Sequence, residues 1–307
     1  MKVTTGWLWK ASVFLALVCQ AARGDTFRIA TYNVESYLDV PTKTRAAKSE
    51  ESKAKTRESI LALKPDVLAL QEVGSISSLL ELRDSLKKQG LELLHWELVS
   101  GSDTNIHLAL LSRFPFVTRR AYTNESYLLN GRRFHVSRGF AEVEIRINPE
   151  HCFTLIAAHL KSKRASTEAD EAEMRLEEAK LLREKIDAKL ESDPDARLVV
   201  VGDFNDTKDS ASTKAVIGRG KTKLIDARPA EPGAGGPGSG PPLDKRGVTW
   251  THFYAKEDTY RRIDFVLLSR GMAQQWITNE TYVLALPDWG VASDHRPIVA
   301  TFETGRR

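Results

Sequence analysis

The chain has 307 residues, 41% of them hydrophobic and 28% charged, which is ordinary globular composition for one large α/β domain or two small ones. Its formal charge of +4 is mostly carried by the first 24 residues, where Lys2, Lys10 and Arg23 meet no acid; without them 42 cations face 41 acids. That balance argues against binding nucleic acid by bulk charge, so any basic patch must be local.

Met1 to Lys10 carries two lysines, Ala11 to Val18 is apolar, and Ala22-Arg-Gly24 offers small residues for cleavage. This is the pattern of a secretory signal peptide. Residues 1–24 are expected to be removed and residues 25–307 exported, to a periplasm or outside the cell. The apolar run is too short for a membrane span, and no later stretch reaches that length. Leu17-Val-Cys19 is a poor lipoprotein site, because Val18 is larger than the residue usually found there. Cleavage leaves Cys152 alone, so no internal disulfide is expected, and Cys152 reads as a small buried hydrophobe. Sequons stand at Asn124, Asn205 and Asn279.

Phe27 to Val34 alternates as a strand and delivers Asn33 at its end, either as a turn cap or as an oxygen donor to a hard cation. Residues 41–64 are charged throughout and pass into a helix that stops before Pro65. Asp66 to Glu72 reads as a strand buried on both faces, ending in Gln71 and Glu72. A carboxylate at such a strand end is costly unless it is paired or coordinated, which favours a metal ligand. Ser75 to Gln89 is an amphipathic helix stopped by Gly90. Strands are expected at Leu91–Val99, His107–Ser112 and Phe116–Tyr122.

Arg132 to Arg138 is locally basic, either a solvated hairpin or a face for phosphates, and leads into a strand over Phe140–Ile147. Cys152 to Leu160 is a buried strand carrying His159, with Lys161, Lys163 and Arg164 close behind. A histidine beside three cations points to an anionic ligand. Residues 166–190 form a charged helix, with Thr167-Glu-Ala-Asp170 as its capping box. Leu198 to Val201 is a buried strand stopping at Gly202. Asp203 and Asn205 follow, two apart, and are expected to project together with Phe204 turned inward. A short helix lies near 211–218. Residues 228–247, rich in Pro and Gly, read as a flexible insertion within one domain. Val248 to Tyr254 alternates as a strand, Asp264 precedes an apolar run and is expected buried with a histidine partner, Tyr282–Leu286 is a strand, and Pro297 opens the last one just after Asp294 and His295.

The polar residues at these strand ends are Asn33, Glu72, His159, Asp203, Asn205, Asp264, Asp294 and His295. None is cysteine, which excludes a thiolate metal site; carboxylate and amide oxygens suit Mg²⁺, Mn²⁺ or Ca²⁺. There is no glycine-rich phosphate loop, no GxSxG and no HExxH. Histidines beside carboxylates that hold a hard cation fit hydrolysis of a phosphate ester.

The order Asn33, Gln71-Glu72, His159, Gly202-Asp203-Phe-Asn205, Ile263-Asp264-Phe and Ser293-Asp294-His295 resembles the endonuclease/exonuclease/phosphatase superfamily, from about Phe27 to Phe302. The resemblance implies a four-layer α/β sandwich, two mixed or antiparallel sheets packed together with helices outside. It implies Glu72 as principal metal ligand with Asn33 and Asp294, and His295, held by Asp264, as the residue that activates or orients water. Asp203 and Asn205 would position the nucleophile and stabilise the pentavalent phosphorus, and His159 would bond a phosphate oxygen. Lys161, Lys163, Arg164 and Arg138 are candidates for substrate phosphate. The expected activity is a secreted metal-dependent phosphodiesterase cutting DNA or RNA. The alternatives are a sphingomyelinase-type enzyme acting on a phospholipid head group, for which no aromatic hairpin is evident, a phosphatase of small esters, and a non-catalytic binding protein. A monomer without a protein partner is expected.

Overall fold

The computed structural model describes residues 24–231 and 249–306. The leader, and nearly all of the Pro/Gly-rich stretch, lie outside them. Two six-stranded sheets make up the centre. The first runs, edge to edge, β15 (Trp276–Val283), β16 (Ile298–Glu303), β1 (Thr26–Tyr37), β2 (Val67–Val73), β4 (His107–Ser112) and β3 (His95–Val99). The second runs β11 (Ile225–Asp226), β14 (Asp264–Leu268), β10 (Leu198–Asp203), β9 (His151–His159), β8 (Phe140–Asn148) and β5 (Phe116–Tyr122). Both are mixed: β1 lies parallel to β2, and β9 to β10, among antiparallel neighbours. Two hairpins stand apart, β6 (Ser126–Leu129) with β7 (Arg132–His135), and β12 (His252–Tyr254) with β13 (Thr259–Arg261).

The period of two along the strands decides which layer each side chain joins. Phe27, Ile29, Val199 and Val201 enter the core between the sheets. Their neighbours Ala30 and Tyr32 face α1 (Glu50–Leu63) and α2 (Ile76–Lys88) on the first sheet's outer face. Leu198 and Val200 face α3 (Glu171–Ser192) and α4 (Ala211–Ile217) on the second's. The result is helices, sheet, sheet, helices: a four-layer α/β sandwich. The short helices α5 (Arg270–Ala273) and α6 (Trp289–Ala292) close connections. At one end Phe27 stacks on Phe153 and Phe302, with ring centroids 5.4 and 5.5 Å apart; each ring contributes roughly 2–3 kcal/mol by burial.

Several boundaries differ from the sequence reading. Helix α3 begins at Glu171, capped by the Asp170 carboxylate rather than by Thr167, because Asp170 Oδ1 accepts from both Ala172 N and Glu173 N. Strand β3 starts only at His95, and β15 starts at Trp276 and ends at Val283, earlier at both ends than its apolar run. Pairing with β16, not local composition, sets those limits. Cys152 is half-buried rather than enclosed. The β6–β7 turn has Asn130 at φ +51° and Gly131 at +77°, the two left-handed positions a tight hairpin needs.

Candidate active site

Asp203 ends β10, and pairing across the second sheet sets His159 of β9 on one side of it and Asp264 of β14 on the other. All three are buried. Gly202, at φ +134°, lets the strands close there: a Cβ would collide with the Ala158 carbonyl oxygen. His295 arrives from the other sheet, on the loop before β16. Ser293 pins that loop, donating its hydroxyl to Asn33 O (2.8 Å) and accepting from His295 N (3.0 Å). The His295 ring then places Nδ1 2.8 Å from Asp264 Oδ2 and Nε2 3.7 Å from Asp203 Oδ2. Asn33 donates Nδ2 to the same Asp203 oxygen at 3.0 Å, and His159 Nε2 lies 3.6 Å from it.

Burial pushes the Asp203 carboxyl up to about 6, with the His295 charge opposing and Asp264 adding to the rise. Burial alone would lower His295. The Asp264 carboxylate, then that of Asp203, outweighs it and holds the ring well above its ordinary value. His159 has no such support: burial, then the Arg138 charge, drives it far down, so its imidazole is neutral. Its Nδ1 makes no hydrogen bond. The site therefore sets a charged histidine and a neutral one around one buried carboxylate.

Beside this triad lies an acidic face built on a bulge between β1 and β2, where the register shifts. Glu35, Ser36 and Glu72 all take positive φ there, +42°, +55° and +66°. Such strain in residues with side chains persists only where surrounding structure enforces it, and it concentrates at functional sites. Glu72 Oε2 accepts from Ser36 N and Oγ, both at 3.1 Å, and from Arg45 Nη1 at 2.9 Å. Glu35 takes the Asn33 Oδ1 for its N–H and offers Oε2 to Asp294 N at 3.1 Å. Burial, then the Asp294 charge, raises the Glu35 pKa. Among the described residues, the groups of three His or acidic side chains with ligand atoms within 4.8 Å are His252, Asp294, His295 and Asp203, Asp264, His295. Glu72 belongs to neither; it stands with Arg45, across Glu35.

The structure brings Asn33, His159, Asp203, Asp264, Asp294 and His295 together, with the Asn205 main chain bonded to Asp203, and sets Glu72 apart against Arg45. Asn205 does not project from an extended chain. Its φ is +54°, its N–H donates to Asp203 Oδ1 at 2.7 Å, and its Nδ2 donates to Leu160 O at 2.9 Å, so that nitrogen is committed to the fold. Phe204 is turned inward, stacked on Phe265 at 5.1 Å. Of the proposed phosphate ligands, Arg138 is buried, Lys161 is half-buried, and Arg164 is exposed. Lys163 is held by Asp206 at 2.9 Å. Glu35, Arg45 and His252 escaped the sequence reading. Glu35 follows Asn33 by two, Arg45 sits in a run of mixed charges, and His252 meets His295 across an isolated bridge, ring centroids 4.5 Å apart. The β12–β13 hairpin also exposes Tyr254 and Tyr260, aromatic groups that composition had not revealed.

The endonuclease/exonuclease/phosphatase family model matches residues 30–295. The chain belongs to that family. Its members are mostly phosphoric ester hydrolases and generally use divalent metals. No curated protein sequence matches the chain. Among solved structures, the human Nocturnin catalytic domain with bound sulfate is similar with a TM-score of 0.64 at 18% identity, covering 91% of this chain and 94% of that one. Truncated Caenorhabditis elegans TDP2 gives 0.60 at 16%, covering 91% and 98%. Sphingomyelinase C from Streptomyces griseocarneus gives 0.58 at 18%, covering 91% and 100%. At such identities the likeness is one of fold. The donors of the acidic face fit the family's metal: Glu35, Glu72 and Asp294 are carboxylates, Asn33 is an amide, and hard oxygens of this kind suit Mg²⁺, Mn²⁺ or Ca²⁺. Burial, with the Asp294 charge beside it, raises the Glu35 carboxyl, and a dication would offset both.

Proposed function

We propose that the chain is an exported, divalent-metal-dependent phosphodiesterase whose main substrate is DNA or RNA, cut internally. The observation that carries the reading is the row His159, Asp203, Asp264 across one sheet, met by His295 from the other. A divalent ion held by Glu72, Glu35, Asp294 and Asn33 would supply charge neutralisation at the phosphoryl oxygens. The residues themselves do the rest. Asp203, with a pKa pushed to about 6, is matched to accept the proton of an attacking water near neutral pH. The His295 ring, oriented by Asp264, balances that carboxylate and the growing phosphoryl charge. Neutral His159 offers an N–H to a phosphoryl oxygen. The P–O bond to the leaving alkoxide breaks as the water oxygen bonds phosphorus. Asn205 holds Asp203 in place, its N–H bonded to Asp203 Oδ1 at 2.7 Å. Export rests on the leader, single-domain organisation on the family match spanning both sheets, and a glycan at Asn205 is disfavoured because Nδ2 is already used.

A lipid reading has one observation in its favour, the tyrosines of the β12–β13 hairpin beside the site; aromatic side chains equally serve as stacking platforms for bases. The test is incubation with supercoiled plasmid in Mg²⁺, with a chelator control and sphingomyelin vesicles in parallel. Chelator-sensitive nicking that His295→Gln removes is expected. Lipid hydrolysis with intact plasmid would reassign the substrate, and neither activity would leave a small phosphoester or a binding role.

A further inference from the structure

A cavity of about 690 Å³ runs from Arg45 and Lys161, neighbours in chain or contact of the site residues, to the β6–β7 hairpin. One end touches Arg45, the residue against Glu72, and Lys161, two residues past His159. The other end is the tip of the hairpin, with Arg132 and Arg133 just after the turn. Six cationic side chains line this space against two acidic ones, in a chain whose charges otherwise nearly cancel.

Arg45 is paired with Glu72, but the other five cations are not used up by the fold. Arg138, in the floor, is buried, yet its Nε has no hydrogen-bond partner, and its nearest carboxylate, Asp103, is 3.6 Å away. Among the described residues, Arg133 bonds only the Ser126 hydroxyl and Arg164 reaches no acid. Lys161 Nζ bonds two main-chain oxygens and no carboxylate; burial, then the Arg138 charge, lowers its pKa. Arg132 meets Glu168 at 3.4 Å with both side chains 60% exposed, an ion pair worth little. The walls are nevertheless built. Tyr127 and Phe134 stack at 5.9 Å and pack the hairpin on Met174. Buried Glu178 accepts from Ser137 N, Ser137 Oγ and Lys161 N, tying the Arg138 and Lys161 loops to α3.

The geometry points to a subsite for the phosphates that flank the scissile one, taking a phosphodiester chain from the catalytic row across Arg138 to the hairpin arginines. It rests on the phosphodiesterase reading and names the substrate class: a polyanionic strand rather than an ester with a single phosphate. An isolated lipid head group has nothing to place at the hairpin.

The experiment measures binding of a short fluorescein-labelled oligothymidylate by anisotropy, in chelator, over a range of salt. Arg132→Gln with Arg133→Gln, both exposed, is compared with Lys64→Gln and Lys88→Gln on the opposite helical layer. The hairpin variant is expected to bind about tenfold more weakly, with its slope of log K against log salt reduced by about 1.4; the control variant keeps both. Equal weakening in the two variants, or none in either, overturns the subsite. In Mg²⁺ the ratio of kcat/KM for the oligonucleotide to that for bis(p-nitrophenyl) phosphate should fall about tenfold in the hairpin variant. Wild-type protein that binds the oligonucleotide as described but hydrolyses neither substrate would overturn the proposed activity and support the subsite. Binding to sphingomyelin vesicles with none to the oligonucleotide overturns it.

Discussion

Strand β9 carries a histidine at each end, and the two ends of the sandwich treat them differently. His151 opens the strand beside the phenylalanine stack, 6.1 Å from the Phe27 ring. Burial, then Arg197, pushes it down to about 4, and its Nε2 has no partner. His159 closes the strand and is also buried, neutral and short of one hydrogen bond. Neither burial nor a shifted pKa separates the two. What separates them is company. His159 meets strand-end carboxylates and amides from both sheets, whereas His151 meets rings that pack. A perturbed histidine is a functional residue only where other chemistry converges on it.

The comparison can be broken at several points. The largest effect is expected at the converging end. His295→Gln should lower kcat by roughly a thousandfold, and Asp264→Asn by a similar order, with the fold retained by circular dichroism. Retained turnover in both would remove the catalytic reading. His159→Gln is expected to lower kcat about a hundredfold, while His151→Gln leaves it within about twofold; equal losses would erase the contrast between the ends. His151 should show itself in stability instead. Its folded pKa lies below the unfolded value, so the unfolded chain takes the proton first and stability falls as pH drops from about 6.5 to about 4. The loss is on the order of 3 kcal/mol, and the difference between wild type and His151→Phe in urea midpoints across that window measures it.

Gly202→Ala should cost about 1–3 kcal/mol, because the positive φ and the Ala158 carbonyl both resist a Cβ; a larger loss of activity than of stability would locate the damage at Asp203. The smallest effect concerns the acidic face. Mg²⁺ at ten times its dissociation constant should stabilise the protein by about 1.4 kcal/mol, visible as a raised Tm. Glu35→Gln should reduce that rise; an unchanged rise would remove Glu35 from the ion's surroundings.

The fold was legible in the sequence wherever the signal was local. His107–Ser112 and Phe116–Tyr122 are strands with the boundaries expected; the first has a local reason, its apolar run Leu108–Leu111, while the polar second is held by pairing with β8. Asp264 reads as buried and histidine-paired from its place before an apolar run, and the 2.8 Å contact with His295 is there. The capping of α3 was misread because Thr167 and Asp170 both satisfy a capping pattern, and only the chain's path chooses between them. Asn205 was misread because spacing of two implies a shared face only in extended chain, and its backbone is left-handed.

Sequence alone determined the strands and the inventory of chemistry; the four layers were what its resemblance to the family implied. Alternation with period two assigns each strand residue to a core, and the polar residues closing those strands supply the carboxylates, amides and histidines. Tertiary structure decided their grouping. Ser293 holds Asn33 across 260 residues of chain, the β1–β2 bulge turns Glu35 and Glu72 onto one face, and the hairpin arginines reach the end of the same cavity as Lys161. Such contacts leave no periodic trace, because each depends on how two sheets pack and not on the residues beside it in the chain.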